Sequence, residues 1–273
     1  MVRRALVVGV ALCLALIGFA YWSAVRDPAI RRASIGLARW PADVEPITLG
    51  FVSDIHVAGP DMPPSRLAEI VRQLNSLGPD LVLIAGDFVS DKRTATRFYE
   101  AESALKPLSL LEAPLGTVAV LGNHDHWRGR AEVAEALSLY DVTVLANESM
   151  DRGPLTIVGV DDAFTDHDDL ASAVAELDRR QPAIALTHSP DIFPDIPRTI
   201  ALTLAGHTHC GQIRLPLIGA ISTMSDYGER YACGFTREGG RALITSAGLG
   251  TSILPLRFGT APEIWLITVG PRR

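Results

Sequence analysis

Seven residues able to ligate a metal ion through oxygen or imidazole nitrogen recur along this chain in short groups. The groups are Asp54-Ile55-His56, Gly86-Asp87, Gly122-Asn123-His124-Asp125, Thr187-His188 and Gly206-His207-Thr208-His209. Five of the chain's seven histidines lie inside them, leaving His126 and His167 elsewhere. Carboxylates combined with imidazoles suit borderline divalent ions such as Mn, Fe or Zn rather than Ca or Mg alone. Asp54, His56, Asp87, Asn123, His188, His207 and His209 are more ligands than one ion needs. Two ions roughly 3.5–4 Å apart, bridged by one carboxylate, would use them all. In an extended chain, residues two apart point to the same side. Asp54 with His56, and His207 with His209, would then each present two ligands to one cavity. Gly86 and Gly122 permit a tight turn and close backbone approach beside Asp87 and Asn123. Each fragment alone has a plainer reading, Asp54 as a helix cap and Gly86-Asp87 as a turn. Two imidazoles side by side at one strand end are harder to explain by packing, since each needs a partner if buried.

The placement of the groups adds to their chemistry. Each follows an apolar run of strand length, at 47–52, 81–85, 117–121, 183–186 and 202–205, and a further strand is expected at 155–160. The fully apolar run 81–85 reads as a strand buried on both faces. Open α/β sheets build their sites at the carboxyl ends of such strands. Leu67, Ile70, Val71, Leu74 and Leu77 recur at helical spacing, with Gly78-Pro79 as the stop. Further helices are expected over 97–110, 129–139 and 168–179. After Gly211 the pattern becomes strand-like and Gly-rich, ending in a strand at 263–269. This pattern describes one α/β domain with a β-rich C-terminal part.

Composition bounds the partners. Among 273 residues the formal net charge is −6, which argues against a nucleic-acid partner. An acidic protein that binds phosphate must supply positive charge locally, and metal ions do so. The run from Ala5 to Trp22 holds 18 residues with no charge. As a helix it would span roughly 27 Å, close to a bilayer's hydrocarbon thickness of about 30 Å. Tyr21 and Trp22 sit where an aromatic belt belongs. The organisation expected is a transmembrane anchor at 1–24, a connector at 25–46 and a catalytic domain at 47–273. A signal peptide is the competing reading of Arg3-Arg4 and the apolar run, although no A-x-A cleavage pattern follows. Arg26, Arg31, Arg32 and Arg39 outnumber Arg3 and Arg4, so the positive-inside count leans toward a cytoplasmic domain. Arg3-Arg4 as a twin-arginine export signal is the alternative, on a weak match. Cys13 lies in the anchor, and Cys210 and Cys233 could pair only in an oxidising compartment.

The ordered set Asp54-x-His56, Gly86-Asp87, Gly122-Asn123-His124-Asp125, His188 and Gly206-His207-x-His209 resembles the calcineurin-like metallophosphoesterase superfamily over residues 47–273. The resemblance implies an αββα sandwich of two packed β-sheets flanked by helices. It also implies two divalent ions, Mn foremost and Fe or Zn as alternatives. One would be held by Asp54, His56, Asp87 and His209, the other by Asp87, Asn123, His188 and His207, with Asp87 bridging. His124 would serve the leaving group, oriented by Asp125, and Asn123 would also donate to a phosphoryl oxygen.

Two further stretches, His207-Thr208-His209-Cys210-Gly211-Gln212 with Leu215-Pro216 and 247–252 with 254–258, are similar to a membrane-anchored bacterial branch. That branch includes UDP-2,3-diacylglucosamine pyrophosphatases of lipid A synthesis and exported phosphoesterases. Cys210 stands where a small residue, commonly Gly, is expected. The implied setting is a single-pass protein of a bacterial inner membrane, its partner a phosphate-bearing substrate such as a lipid-linked nucleotide. A broad-specificity phosphodiesterase or phosphatase on soluble substrates, and a non-catalytic metal-binding scaffold, are the alternatives. Arg257 reads as a bidentate phosphate ligand or an ordinary salt bridge. His126 reads as a phosphate contact or a supporting residue, His167 as a surface residue, and Trp127 as a pocket wall or a core closure.

Overall fold

A computed structural model describes residues 1–178 and 180–272. Helix α1 (Val2–Val25) is followed by β1 (Ala29–Leu37), β2 (Ile47–Ser53), α2 (Pro64–Ser76), β3 (Leu81–Ala85) and α3 (Ala101–Leu105). Then come β4 (Thr117–Val120), α4 (Asn123–Leu139), β5 (Val142–Val144), β6 (Glu148–Arg152), β7 (Leu155–Val160) and α5 (Leu170–Ala173). The remainder is β8 (Ala183–Thr187), β9 (Leu202–Ala205), β10 (Arg214–Leu215), β11 (Gly219–Ala220), β12 (Gly234–Glu238), β13 (Arg241–Thr245) and β14 (Glu263–Pro271).

Two six-stranded sheets carry the fold, ordered β1-β14-β2-β3-β4-β5 and β12-β13-β9-β8-β7-β6, with β10-β11 a separate hairpin. Leu49, Phe51, Leu83 and Val120 of the first sheet meet Ile157, Ile184, Leu186, Leu204 and Ile244 of the second in one core. The opposite face of the first sheet is covered by α2, α3 and α4 through Leu67, Ile70, Leu105, Val133 and Leu137. A smaller cluster under α5 covers the second sheet. Helix, sheet, sheet and helix therefore stack as the sandwich expected. Because β2, β3 and β4 run parallel, as do β7, β8 and β9, their carboxyl ends open on one edge of the stack.

The segment read as a connector differs from expectation. Ala29–Leu37 is an edge strand, paired in parallel with β14 from Ala29↔Glu263 to Leu37↔Pro271. Its arginines hid it, because an edge strand with one solvent face carries charge without a buried period. Arg31 is paired to Glu263 across that junction. The helix expected at 97–110 is α3 followed by a 3₁₀ turn at Lys106–Leu110. The one at 129–139 begins earlier, at Asn123, with a break at Gly129. The one at 168–179 shortens to α5, residue 179 lying outside the described residues.

Helix α1 is apolar and mostly exposed, but its last turns dock on the domain. Ala20, Ser23 and Ala24 are buried. The Arg257 N–H donates to the Ala20 carbonyl at 2.9 Å, and Ser23 Oγ donates to the Thr260 carbonyl at 3.2 Å. The Phe19 ring meets Phe258 edge-on, with centroids 6.0 Å apart.

Candidate metal centre

All seven expected ligands converge at the shared strand edge. Asp87 lies between two sets. Its Oδ2 is 3.4 Å from His56 Nε2 on one side and 3.2 Å from His188 Nε2 on the other. On the first side, His56 Nε2 lies 3.0 Å from His209 Nε2, which is 3.6 Å from Asp54 Oδ1. On the second, Asn123 Oδ1 lies 3.1 Å from His188 Nε2 and 3.0 Å from His207 Nδ1. By these distances the seven candidate ligands can be arranged as two groups of four that share Asp87, with Asp54 also near His188.

The backbone reaches this arrangement by a route the sequence concealed. Asp54, His56, Asp87, His207 and His209 all have positive φ, between 50° and 69°. The expectation of an extended chain at Asp54-x-His56 and His207-x-His209 is therefore corrected. Each pair sits in left-handed turns, which for residues with a Cβ cost on the order of 1–3 kcal/mol apiece. Surrounding hydrogen bonds hold them there. The N–H groups of Asp54 and His56 donate to the carbonyls of Gly86 and Asp87, and the His207 N–H donates to Asp54 Oδ1. Gly122 is required by contact, since a Cβ there would lie 2.3 Å from Asp87 Oδ1.

Second partners fix which nitrogen of each ring faces the centre. His188 Nδ1 is 2.8 Å from the Ala85 carbonyl, which can only accept, so the proton is on Nδ1 and Nε2 is turned to the ligands. His207 Nε2 likewise donates to the Met224 carbonyl at 3.1 Å, which leaves Nδ1 inward. Burial holds the imidazoles of His56 and His209 well below the usual range, and burial together with the neighbouring His188 takes His207 down to about 3. These three rings are neutral, as ligands must be. Burial alone would strip His188 too, but the Asp87 and Asp54 carboxylates raise it, an attraction for positive charge at Nε2 that a bound cation would satisfy in place of the proton. Burial also opposes ionisation of Asp87, yet the neighbouring imidazoles, His188 foremost, keep it well below the carboxylate range. Burial raises Asp54 to about 6.

The residues present fit a divalent pair. Two buried neutral imidazoles face each other at 3.0 Å, and His56 Nδ1 has no hydrogen-bond partner. Asp54, His56 and His209 each offer a ligand atom within 4.8 Å of the others, as do His56, Asp87 and His124, and Asp54, Asp87 and His188.

Roles around the ligands differ from expectation in two places. Asp125 does not touch His124. It is fully buried, and its carboxylate accepts from the N–H groups of Phe88, Val89 and Gly122, closing the start of α4. Burial and the nearby Asp87 charge raise its carboxyl to about 7. Adjacent positions on a helix point about 100° apart, so Asp125 turns inward while His124 faces the cleft. His124 Nδ1 is instead hydrogen-bonded to Asp91. The signal for Asp91 was a second acid in the same loop, four residues after Asp87. Arg257, read as a phosphate or salt-bridge partner, is wholly buried. Its Nη2 donates to the carbonyls of Ala247, Gly248 and Gly250, and it holds that loop rather than a substrate. Burial lowers it to about 10, so it stays charged.

Aromatic residues rim the cleft, and they select among the sequence alternatives. Trp127 is exposed, edge-on to His124 at 5.0 Å, so it lines the cleft rather than closing a core. Phe164, which the sequence reading missed, lies 4.4 Å from the His207 ring. His126 pairs with Asp161 at 2.9 Å and stacks on His167, set back from the ligands. Cys210 and Cys233 form a disulfide that closes the base of the loop between them.

Residues 47–211 match the model of the calcineurin-like phosphoesterase family. The uncharacterized metallophosphoesterase YkuE of Bacillus subtilis (strain 168) is 33% identical over 213 residues, covering 74% of this chain and 72% of its own. An uncharacterized metallophosphoesterase of Helicobacter pylori (strain J99) is 30% identical over 270 residues, covering 95% and 69%. A Bos taurus transmembrane protein with metallophosphoesterase domain is 29% identical over 287 residues, covering 96% and 61%.

Proposed function

Since the chain belongs to the calcineurin-like phosphoesterase family, and is on that ground a metal-dependent phosphoester hydrolase, we propose that its substrate is an amphiphilic phosphodiester or pyrophosphate met at a membrane surface. The observation that carries this reading is the docking of α1. Its foot bonds to the backbone of Arg257, the residue whose side chain supports the loop beside His209. The apolar helix and the cleft are thereby held on one side of the domain. The bovine relative, whose name includes a transmembrane protein, supports a membrane setting.

Asp54, His56, Asp87 and His209 would hold one ion, and Asp87, Asn123, His188 and His207 the other, with Mn the first choice and Fe or Zn the alternatives. When bound, such a pair supplies Lewis acidity and a nucleophile ready near neutral pH. The side chains supply the rest. Asn123 turns Oδ1 to His188 and His207, which leaves its NH₂ to donate to a phosphoryl oxygen. His124, positioned by Asp91, presents Nε2 toward the leaving group, and Trp127 and Phe164 wall the cleft beside it.

The test is a substrate series assayed with Mn²⁺. A pyrophosphate carrying acyl chains, such as UDP-2,3-diacylglucosamine, or a diacyl phosphodiester should exceed its unacylated headgroup about 100-fold or more in kcat/KM, because remote apolar contacts supply binding energy. Equal rates with and without acyl chains would overturn the proposal in favour of a broad phosphodiesterase.

The disulfide favours a phosphodiester outside the cytoplasm over a nucleotide-linked lipid. A stable Cys210–Cys233 bond belongs to an oxidising compartment, which counts against the cytoplasmic lean of the arginine count. Arg31, one of those arginines, is committed to Glu263 inside the folded sheet. Thiol counting on denatured protein from cells lysed with alkylating agent should find Cys13 alone reactive. Three reactive thiols would place the domain in a reducing compartment.

A further inference from the structure

The hairpin loop that overhangs the metal centre carries an apolar tip with nothing packed on it. From Leu215 to Ser225 the sequence has no charged residue. Leu217 at the turn is fully exposed, and Ile218, Ile221 and Met224 are 75%, 66% and 52% exposed. Soluble surfaces rarely gather such residues contiguously without a partner. A second uncharged stretch, 247–256, adds Ile253 at 69% exposure.

The two stretches form one bonded unit with the foot of α1. Gln212 donates to the carbonyls of Leu254 and Leu256, and its side-chain oxygen accepts from the Ser252 N–H. The Arg214 N–H donates to the Phe258 carbonyl at the root of the hairpin. Phe258 is the residue on which Phe19 packs, and Phe19 is three positions before Trp22, the last residue of the uncharged run. Three helical residues rise about 4.5 Å, so this unit lies at the level where the helix would leave the hydrocarbon. The same loop reaches the ligands, because the Met224 carbonyl accepts from His207.

We propose that the tip at Leu217, Ile218 and Ile221, with Ile253, inserts into the bilayer that α1 spans and seats the metal cleft against the lipid headgroups. The occupant of the apolar surface is that lipid, since the surface continues the docked foot of the anchor. This rests on the reading of α1 as a membrane helix. It adds that the domain touches the membrane at a second place, and that a substrate phosphate enters from headgroup depth.

The experiment uses the full chain in nanodiscs prepared with ordinary or acyl-brominated lipid. Ile218→Trp adds an indole at the tip, and Trp22→Phe removes the one on the anchor, so differences from wild type isolate each emission. An indole sunk roughly 5–10 Å below the headgroups meets the bromines, and its emission should fall about twofold. Quenching at both positions supports the proposal. Quenching of Trp22 alone, with the added indole still open to aqueous acrylamide, overturns the insertion and leaves the anchor standing. Quenching of neither overturns the anchor reading as well. Metal content equal to wild type verifies the fold, and Leu217→Trp carries the same test where Ile218→Trp fails to load metal.

Discussion

Asp87→Asn should leave a folded protein that has lost metal at both positions and at least about 10³-fold in turnover, several kcal/mol of transition-state stabilisation. The reason is the place of this carboxylate between the two groups of four. Its Oδ2 faces His56 and His188, while its Oδ1 accepts from the His124 N–H at 2.9 Å. An amide of the same shape keeps the backbone contact but removes the only charge common to both ligand sets. Asp54→Asn touches one set and should reduce metal content by half. The check is elemental analysis beside turnover of a chromogenic phosphodiester, on both variants. Two equivalents of metal retained by Asp87→Asn would refute the shared-carboxylate arrangement.

His124→Ala should separate chemistry from metal binding. His124 is outside the two groups of four and is the one partly exposed imidazole among the grouped histidines, its Nδ1 held by Asp91. A substrate with a poor leaving group, an alkoxide, needs a proton and should slow by roughly 10²–10⁴-fold. One releasing p-nitrophenolate departs without a proton and should slow far less. His207→Ala should depress both substrates and lower metal content, because His207 contacts Asn123 and His188 directly. Asp91→Asn should reproduce the leaving-group dependence of His124→Ala in weaker form. An equal loss on both substrates with metal content intact would exclude His124 as the general acid and favour a role in orienting phosphate.

The convergence of the candidate ligands was legible because each follows an apolar strand, and parallel strands deliver their loops to one edge. That logic is local, and it located β2, β3, β4, β7, β8 and β9. It failed where burial is one-sided or absent. Glu148–Arg152 is a strand of mostly polar residues at the edge of the second sheet, and Ala29–Leu37 is an edge strand bearing arginines. Asp91 and Phe164 were hidden for another reason, since their contacts to His124 and His207 depend on how loops from different strands fold over one another. Asp125 and Arg257 were misread because a charged residue near a ligand motif suggests chemistry, whereas here each satisfies buried backbone groups. The left-handed ligands lay beyond the sequence too, as Asp and His carry no mark of the turn they are held in.

The pairing of β1 with β14 bears on how the protein is made. Ala29, a few residues beyond the apolar helix, finds its neighbour only in Glu263. During synthesis β14, which lies between β1 and β2 in the sheet, is translated long after both. The first sheet therefore stays split until β14 is made, and β2 until then has an open edge. The sheet can close only once β14 is placed between the two strands that flank it.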